Sequence, residues 1–297
     1  MIRKLLAVSM LVVSAVSVAA AADTAQMRAN LSASDIVNKN VAARGGLQAW
    51  RSVQAISWTG KMGVGGNQRA PIPKIAPDGK KISALPTDPR PKDEVLLPFT
   101  MEMQRPRKVR FELQFKGQTA VQVFDGNSGW KLRPYLNRLQ VEPFSADELK
   151  VSSAQAELDG PLVDYAAKGT KVELDGMDKV EDRDAYKLKL TMKDGHAIHL
   201  WIDAQTFLEA KVEGQPRRLD GIEHSVEVYY RDYRQVSGLQ VPFVLETRVL
   251  PVAKTASGIK EAPVQAEKII IDNVAVNPKL DASLFTKPAI ETASNSH

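Results

Sequence analysis

From Tyr186 to Val212 nearly every second side chain is apolar, through two successive turns, and few folds can use such a pattern. Tyr186, Leu188, Leu190 and Met192 fall on one side of the first segment, and Lys187, Lys189, Thr191 and Lys193 on the other. Past Asp194-Gly195 the apolar side is taken by Ile198, Leu200 and Ile202, then by Leu208, Ala210 and Val212. A period of two marks antiparallel strands with one dry and one wet face. Asp-Gly is a favoured hairpin turn. What covers the dry face is therefore the question the sequence poses.

The same pattern recurs along most of the chain. Met101, Met103 and Arg105 share one face of a strand at 99–105, and Val109, Phe111, Leu113 and Phe115 share one face of the next. Further strands are predicted at 55–64, 118–125, 129–133, 170–175, 185–193, 197–203, 207–213, 222–235, 239–250 and 265–276, about eleven in all. No βαβ alternation appears, so a parallel α/β fold is unsupported. Helical spacing is confined to two places. Ile36, Val37, Val41 and Ala42 follow a candidate cap at Ser34 and stop at Gly45-Gly46. A second helical interlude is expected over 145–168, capped by Ser145, split by Gly160-Pro161 and ended by Gly169.

The chain opens with Arg3 and Lys4, an apolar run from Leu5 to Val18, and Ala20-Ala21-Ala22 before Asp23. That arrangement is a cleaved secretory signal over residues 1–22, because the run is short and ends in small residues. Residues 23–297 are expected to form one β domain, interrupted by a loop at about 65–98 that holds seven prolines and little alternation. There is no cysteine, so the exported protein is held by packing alone and offers no thiol for lipid attachment. Removing Arg3 and Lys4 takes the 40 basic residues to 38 against 35 acidic. The two signs interleave, and no basic stripe for nucleic acid is present.

About eleven strands with one apolar face must roll up, pair with a second sheet or be covered by helices, and the two helical segments are too short to cover them. A two-sheet sandwich satisfies the pattern. Two details favour a curved shell around an apolar cavity. The strands at 222–235 and 239–250 are long, and long curved strands enclose more volume than their own side chains fill. The inward residues are also chiefly Leu, Ile, Val and Met, a lining that suits acyl chains at about 0.8 kcal/mol per buried methylene.

Motifs for covalent chemistry are missing: there is no G-x-S-x-G, H-E-x-x-H or glycine-rich phosphate loop, and no cofactor is called for. His196 and His199 lie on opposite faces of one strand, which disfavours a shared metal. Asp125, in Asp-Gly between strands, reads as turn chemistry.

"MQRPRKVRFELQF" followed by "VQVFDGNSGWKLRP" resembles the LolA/LolB superfamily of periplasmic lipoprotein and lipid carriers. The residues that carry the resemblance are Arg105, Pro106, Asp125, Gly126, Trp130 and Pro134. It implies an unclosed antiparallel half-barrel with a helical lid, a mainly β fold around an apolar cavity. It also implies that Arg105, just before the motif proline, hydrogen-bonds the lid and couples its opening to acyl-chain binding. The chain departs from the carriers in its length, in the 65–98 insertion and in lacking a lipid anchor.

The expected function is a monomeric periplasmic carrier, not an enzyme, that takes lipid or lipoprotein acyl chains from an inner-membrane donor towards an outer-membrane acceptor. The expected lining is Met101, Met103, Val109, Phe111, Leu113 and Phe115 from one pair of strands. Tyr186, Leu188, Leu190, Ile198, Leu200 and Ile202 come from another pair, with Arg105 as lid latch. The alternative is an envelope module of the same fold that senses lipid or binds a protein without transporting.

Overall fold

A computed structural model describes residues 31–65, 94–134, 137–219, 222–252 and 264–289. The expected signal, residues 1–22, and residues 66–93 of the expected Pro/Gly-rich loop lie outside the described residues.

Helix α1 (Ala33–Ala43) is followed by the short α2 (Leu47–Ser52). Then come strands β1 (Ala55–Val64), β2 (Val95–Gln104), β3 (Lys108–Phe115), β4 (Gln118–Phe124), β5 (Gly129–Arg133) and β6 (Arg138–Pro143). Helix α3 (Ala146–Gln155) separates these from β7 (Lys171–Val180), β8 (Arg183–Thr191), β9 (Ala197–Asp203) and β10 (Glu209–Leu219). The long β11 (Ile222–Val236), β12 (Leu239–Val249) and β13 (Glu267–Val276) complete the order.

All thirteen strands form one antiparallel sheet in the order β6-β5-β4-β3-β2-β1-β13-β12-β11-β10-β9-β8-β7. First and last strands pair at its centre, and β6 and β7, consecutive in sequence, occupy opposite edges. The edges do not pair, so the half-barrel is unclosed. Residues 144–170 must cross the sheet from one edge to the other, and this crossing is the lid.

Register fixes which residues share the inner face. Trp58 lies opposite Met101 and Val274, and Met101 opposite Phe111. In the other half Tyr186 lies opposite Ile202, and Leu188 opposite Leu200. Ile36, Val37 and Val41 of α1 join Leu162 and Val163 of the crossing segment in one core with Tyr186, Leu188, Leu190, Leu200 and Ile202. Gly45, at φ +116°, lets α1 end against the β11–β12 turn, where a Cβ would stand 2.4 Å from the Gly238 carbonyl oxygen.

Several elements differ from the sequence reading, each for a local reason. The cap of α1 is Ser32, not Ser34, because Asp35 stands three residues after Ser32 and closes a reciprocal capping box. The second helix runs only over Ala146–Gln155. Residues 156–169 are turns, since Gly160 adopts φ +76° and Pro161 has no N–H for a helix to use. Strand β6 and the second half of β7 lack an apolar stripe because they lie at the edges, with most side chains exposed. Strand β2 begins at Val95 and takes in Pro98, which pairs with Lys61 of β1 but precedes the stretch paired with β3.

On the outer face, charge and aromatic rings replace a second layer. Trp201 is buried beneath Lys211, whose Nζ stands 3.9 Å from the ring centroid, and its Nε1 donates to Asp178 at 2.9 Å. Tyr229 lies against Arg248 and Arg231, at 4.1 and 5.2 Å, and both guanidinium groups bond Glu181. The bond from Arg231, then that from Arg248, hold the Glu181 carboxyl down to about 2 from its ordinary 4.5. A lowered carboxylate stabilises the fold fully above its unfolded value, and that share is lost as pH falls through the folded one. Thermal melts between pH 4.5 and 2 should therefore fall less steeply in Glu181→Gln than in the wild type. Parallel slopes would show that the bridge contributes nothing.

Candidate functional site

The inner face divides into two regions. Over β8 and β9, Tyr186, Leu188, Leu190, Leu200 and Ile202 are sealed beneath α1 and Leu162-Val163, each no more than 1 % exposed. Over β1–β3, Trp58, Met101, Phe111 and Leu113 are half-buried at the margin of the same core. Met103 is buried at 6 % exposure, and Val109, Phe115 and Ile198 are half-buried. Of the twelve residues expected to line one cavity, five are thus packed against the lid and α1, and the β2–β3 group forms an apolar row. The row runs out at Phe115 into a hollow of about 370 Å³ bounded also by Leu97, Pro98 and Gln114. A second hollow, about 220 Å³, separates α3 from β4 and is bounded by Gln122, Phe144, Val151 and Gln155.

Arg105 immediately follows β2, where the inner face meets the lid. Its Nε donates to the Val53 carbonyl at 2.7 Å, and one terminal nitrogen donates to the Trp50 carbonyl at 3.2 Å and to Asp159 Oδ2 at 2.7 Å. The guanidinium therefore joins the end of α2 to the crossing segment. Asp159 is only 3 % exposed, and its other oxygen accepts from Lys168 Nζ at 2.5 Å. Arg44 donates to the Asp159 main-chain carbonyl at 3.0 Å and pairs with the buried Glu209 at 3.2 Å. Glu209 also accepts from the Tyr233 hydroxyl at 3.1 Å, and burial, followed by Glu209 itself, pushes the Tyr233 hydroxyl well above its ordinary range. Each buried charge in this cluster has a partner, which offsets the cost of its desolvation.

A second clasp is bidentate. Arg51 of α2 donates to both oxygens of Asp164, at 2.9 and 2.6 Å, and these bonds hold the Asp164 carboxyl below its usual range. Helix α3 is held differently. None of its residues is buried, and it straddles the opening through Lys131 to Glu148 on one side and Lys150 to Asp194 on the other. Only the Lys150–Asp194 pair is exposed on both sides, where such pairs contribute about 0–1 kcal/mol. Arg107 also donates to the Ser153 hydroxyl at 2.8 Å, so α3 is held by polar contacts and not by burial.

The sequence pointed to Arg105 but not to Asp159, Arg44, Arg51 or Asp164. Asp159 and Asp164 flank Gly160-Pro161 and read as turn residues, and a long-range ion pair leaves no periodic trace. Asp125 acts as a turn former, its Oδ1 accepting from the main-chain N–H groups of Asn127 and Ser128 at 2.9 and 2.7 Å. His199 pairs with Glu213 at 2.9 Å, away from His196, and among the described residues no three His, Cys, Asp or Glu side chains are grouped to hold a metal. No helix among them is long and apolar enough to cross a membrane.

The geometry defines a class: an open antiparallel half-barrel with an ion-paired lid across its inner face. No family model matches the chain, and no curated protein does. Among solved structures, it is similar to a LolA superfamily protein from Nitrosomonas europaea, at 14% identity and a TM-score of 0.51, over 86% of this chain and 98% of that one. It is also similar to a DUF1329 family protein from Desulfovibrio piger, at 10% identity and a TM-score of 0.51, over 87% and 99% of the two chains. The chain therefore has a LolA-like fold.

Proposed function

We propose that the protein is an exported, periplasmic carrier that shelters lipid or lipoprotein acyl chains against the inner face of the half-barrel. Residues 1–22 serve as its signal, and 23–297 act as one unit into which the 65–98 loop is inserted. The observation that carries the reading is the row Trp58, Met101, Phe111 and Leu113, apolar and half-buried beside a lid held by polar contacts. Apolar contact alone supplies the affinity, at about 0.8 kcal/mol per methylene. Opening the lid adds the sealed residues of β8 and β9 to the shelter, and closing it returns them to Leu162 and Val163. No covalent step is needed, since transfer exchanges one set of apolar contacts for another.

Protein purified without detergent should release lipid on organic extraction, and the stripped protein should bind a fluorescent fatty acid saturably. Absence of both would contradict the carrier reading. The packing over β8 and β9 favours a second reading, an envelope module of this fold that binds lipid or a protein partner without transporting. Loaded protein that never passes lipid to acceptor vesicles, yet holds one envelope protein whether loaded or stripped, would establish it.

A further inference from the structure

Trp58 lies on the central strand β1, with Met101 and Val274 directly opposite on either side. Its indole Nε1 is buried and has no hydrogen-bond partner among the described residues. Two other tryptophans differ: Trp50 Nε1 donates to the Arg44 carbonyl at 3.1 Å, and Trp201 Nε1 to Asp178 at 2.9 Å. A desolvated N–H with no acceptor is costly and uncommon, and buried indole groups ordinarily find a partner. This one sits on the apolar row assigned above to the acyl chain.

We propose that Trp58 Nε1 anchors the bound lipid by donating a hydrogen bond to an acyl carbonyl oxygen, with the chain running past Met101, Phe111 and Leu113. The assignment rests on the carrier reading. An indole N–H is a donor only, so the matching group is an acceptor. Met101 and Val274 bring no cation to the spot, and a carboxylate there would lose its hydration without gaining a counter-charge. The neutral ester carbonyl of an acylated lipid therefore fits better than the ionised head of a free fatty acid. The indole sets position and headgroup class, while the row supplies the apolar affinity.

The test compares a short-chain diacyl phosphatidylcholine, its ether-linked analogue without carbonyls, and laurate, titrated calorimetrically into stripped wild type and Trp58→Phe. Wild type should bind the ester about tenfold more tightly than the ether, the effect of satisfying one buried donor, and bind laurate less well than the ester. Trp58→Phe should lose the ester preference and keep its ether affinity. In wild type labelled with ¹⁵N-tryptophan, one indole proton should move downfield with ester and not with ether, a readout that stands even where the variant folds poorly. Equal ester and ether affinity in wild type, with no indole shift, overturns the anchor and leaves the carrier reading standing. Tighter binding of laurate than of the ester also overturns it. Trp58→Phe weakening both lipids alike overturns the donor role and makes the ring a packing residue. Binding of none of the three overturns the anchor and the carrier reading together.

Discussion

Arg105→Leu should loosen the lid without unfolding the sheet. The substitution removes the bonds to the Val53 and Trp50 carbonyls and leaves Asp159, 3 % exposed, with Lys168 as its remaining side-chain cation. Breaking a buried pair costs about 3–5 kcal/mol. Arg105 is itself 28 % exposed and Lys168 stays in place, so a discounted figure of about 2 kcal/mol is expected here. That corresponds to about a thirtyfold rise in the opening equilibrium of the crossing segment. Hydrogen exchange of amides in 156–169 should accelerate to match, with β11 and β12 unchanged. Arg138→Leu, which removes an exposed pair with Glu142, serves as the control and should alter neither. If opening gates exchange, release of a bound fluorescent fatty acid accelerates in parallel. Faster amide exchange with unchanged release would separate the clasp from any gating role.

Leu188→Ala and Leu113→Ser should fail in different ways, although both residues belong to the inner face. Leu188 is fully buried opposite Leu200, beneath the lid, and its truncation leaves a cavity among Leu, Ile and Tyr side chains. A loss of about 3 kcal/mol follows, near the middle of the range for such changes. Leu113 is half-buried at the rim, opposite Phe99, and its replacement should cost about 1 kcal/mol of stability. Fatty-acid affinity should respond in the opposite order, falling about fivefold or more for Leu113→Ser through lost methylene contact. Equilibrium denaturation and lipid titration on both variants check the pair. A stability loss at Leu113 as large as that at Leu188 would mean that the row is core and not a rim.

The period of two in residues 186–202 was enough to place the inner face, because an alternating strand has only two sides to choose between. It failed at Ala210, which the register shift between Glu209 and Lys211 turns to the outer cluster with Trp201 and Tyr229. Helix α1 was legible through its apolar spacing, with an error of two residues at the cap. What stayed hidden was set by topology. Nothing local in β6 tells that its successor β7 lies at the far edge of the sheet, yet that separation is what carries Asp159 across to Arg105. The outer face was hidden for another reason: Lys211, Arg231 and Arg248 read as solvated residues, and their aliphatic stems and charges in fact cover Trp201 and Tyr229. The division of the lining into sealed and half-buried parts depends on where Leu162 and Val163 come down, which strand alternation does not encode.

A fatty acid carrying a photoreactive diazirine near its methyl end puts the central claim to the most direct test. Irradiated with stripped protein and mapped by peptide mass spectrometry, the label should fall on β1–β3, at Trp58, Met101, Phe111 or Leu113. In Arg105→Leu it should spread to Leu188 and Leu200 as the lid loosens. Label confined to exposed apolar residues at the edges, such as Leu139 or Met177, would contradict the account.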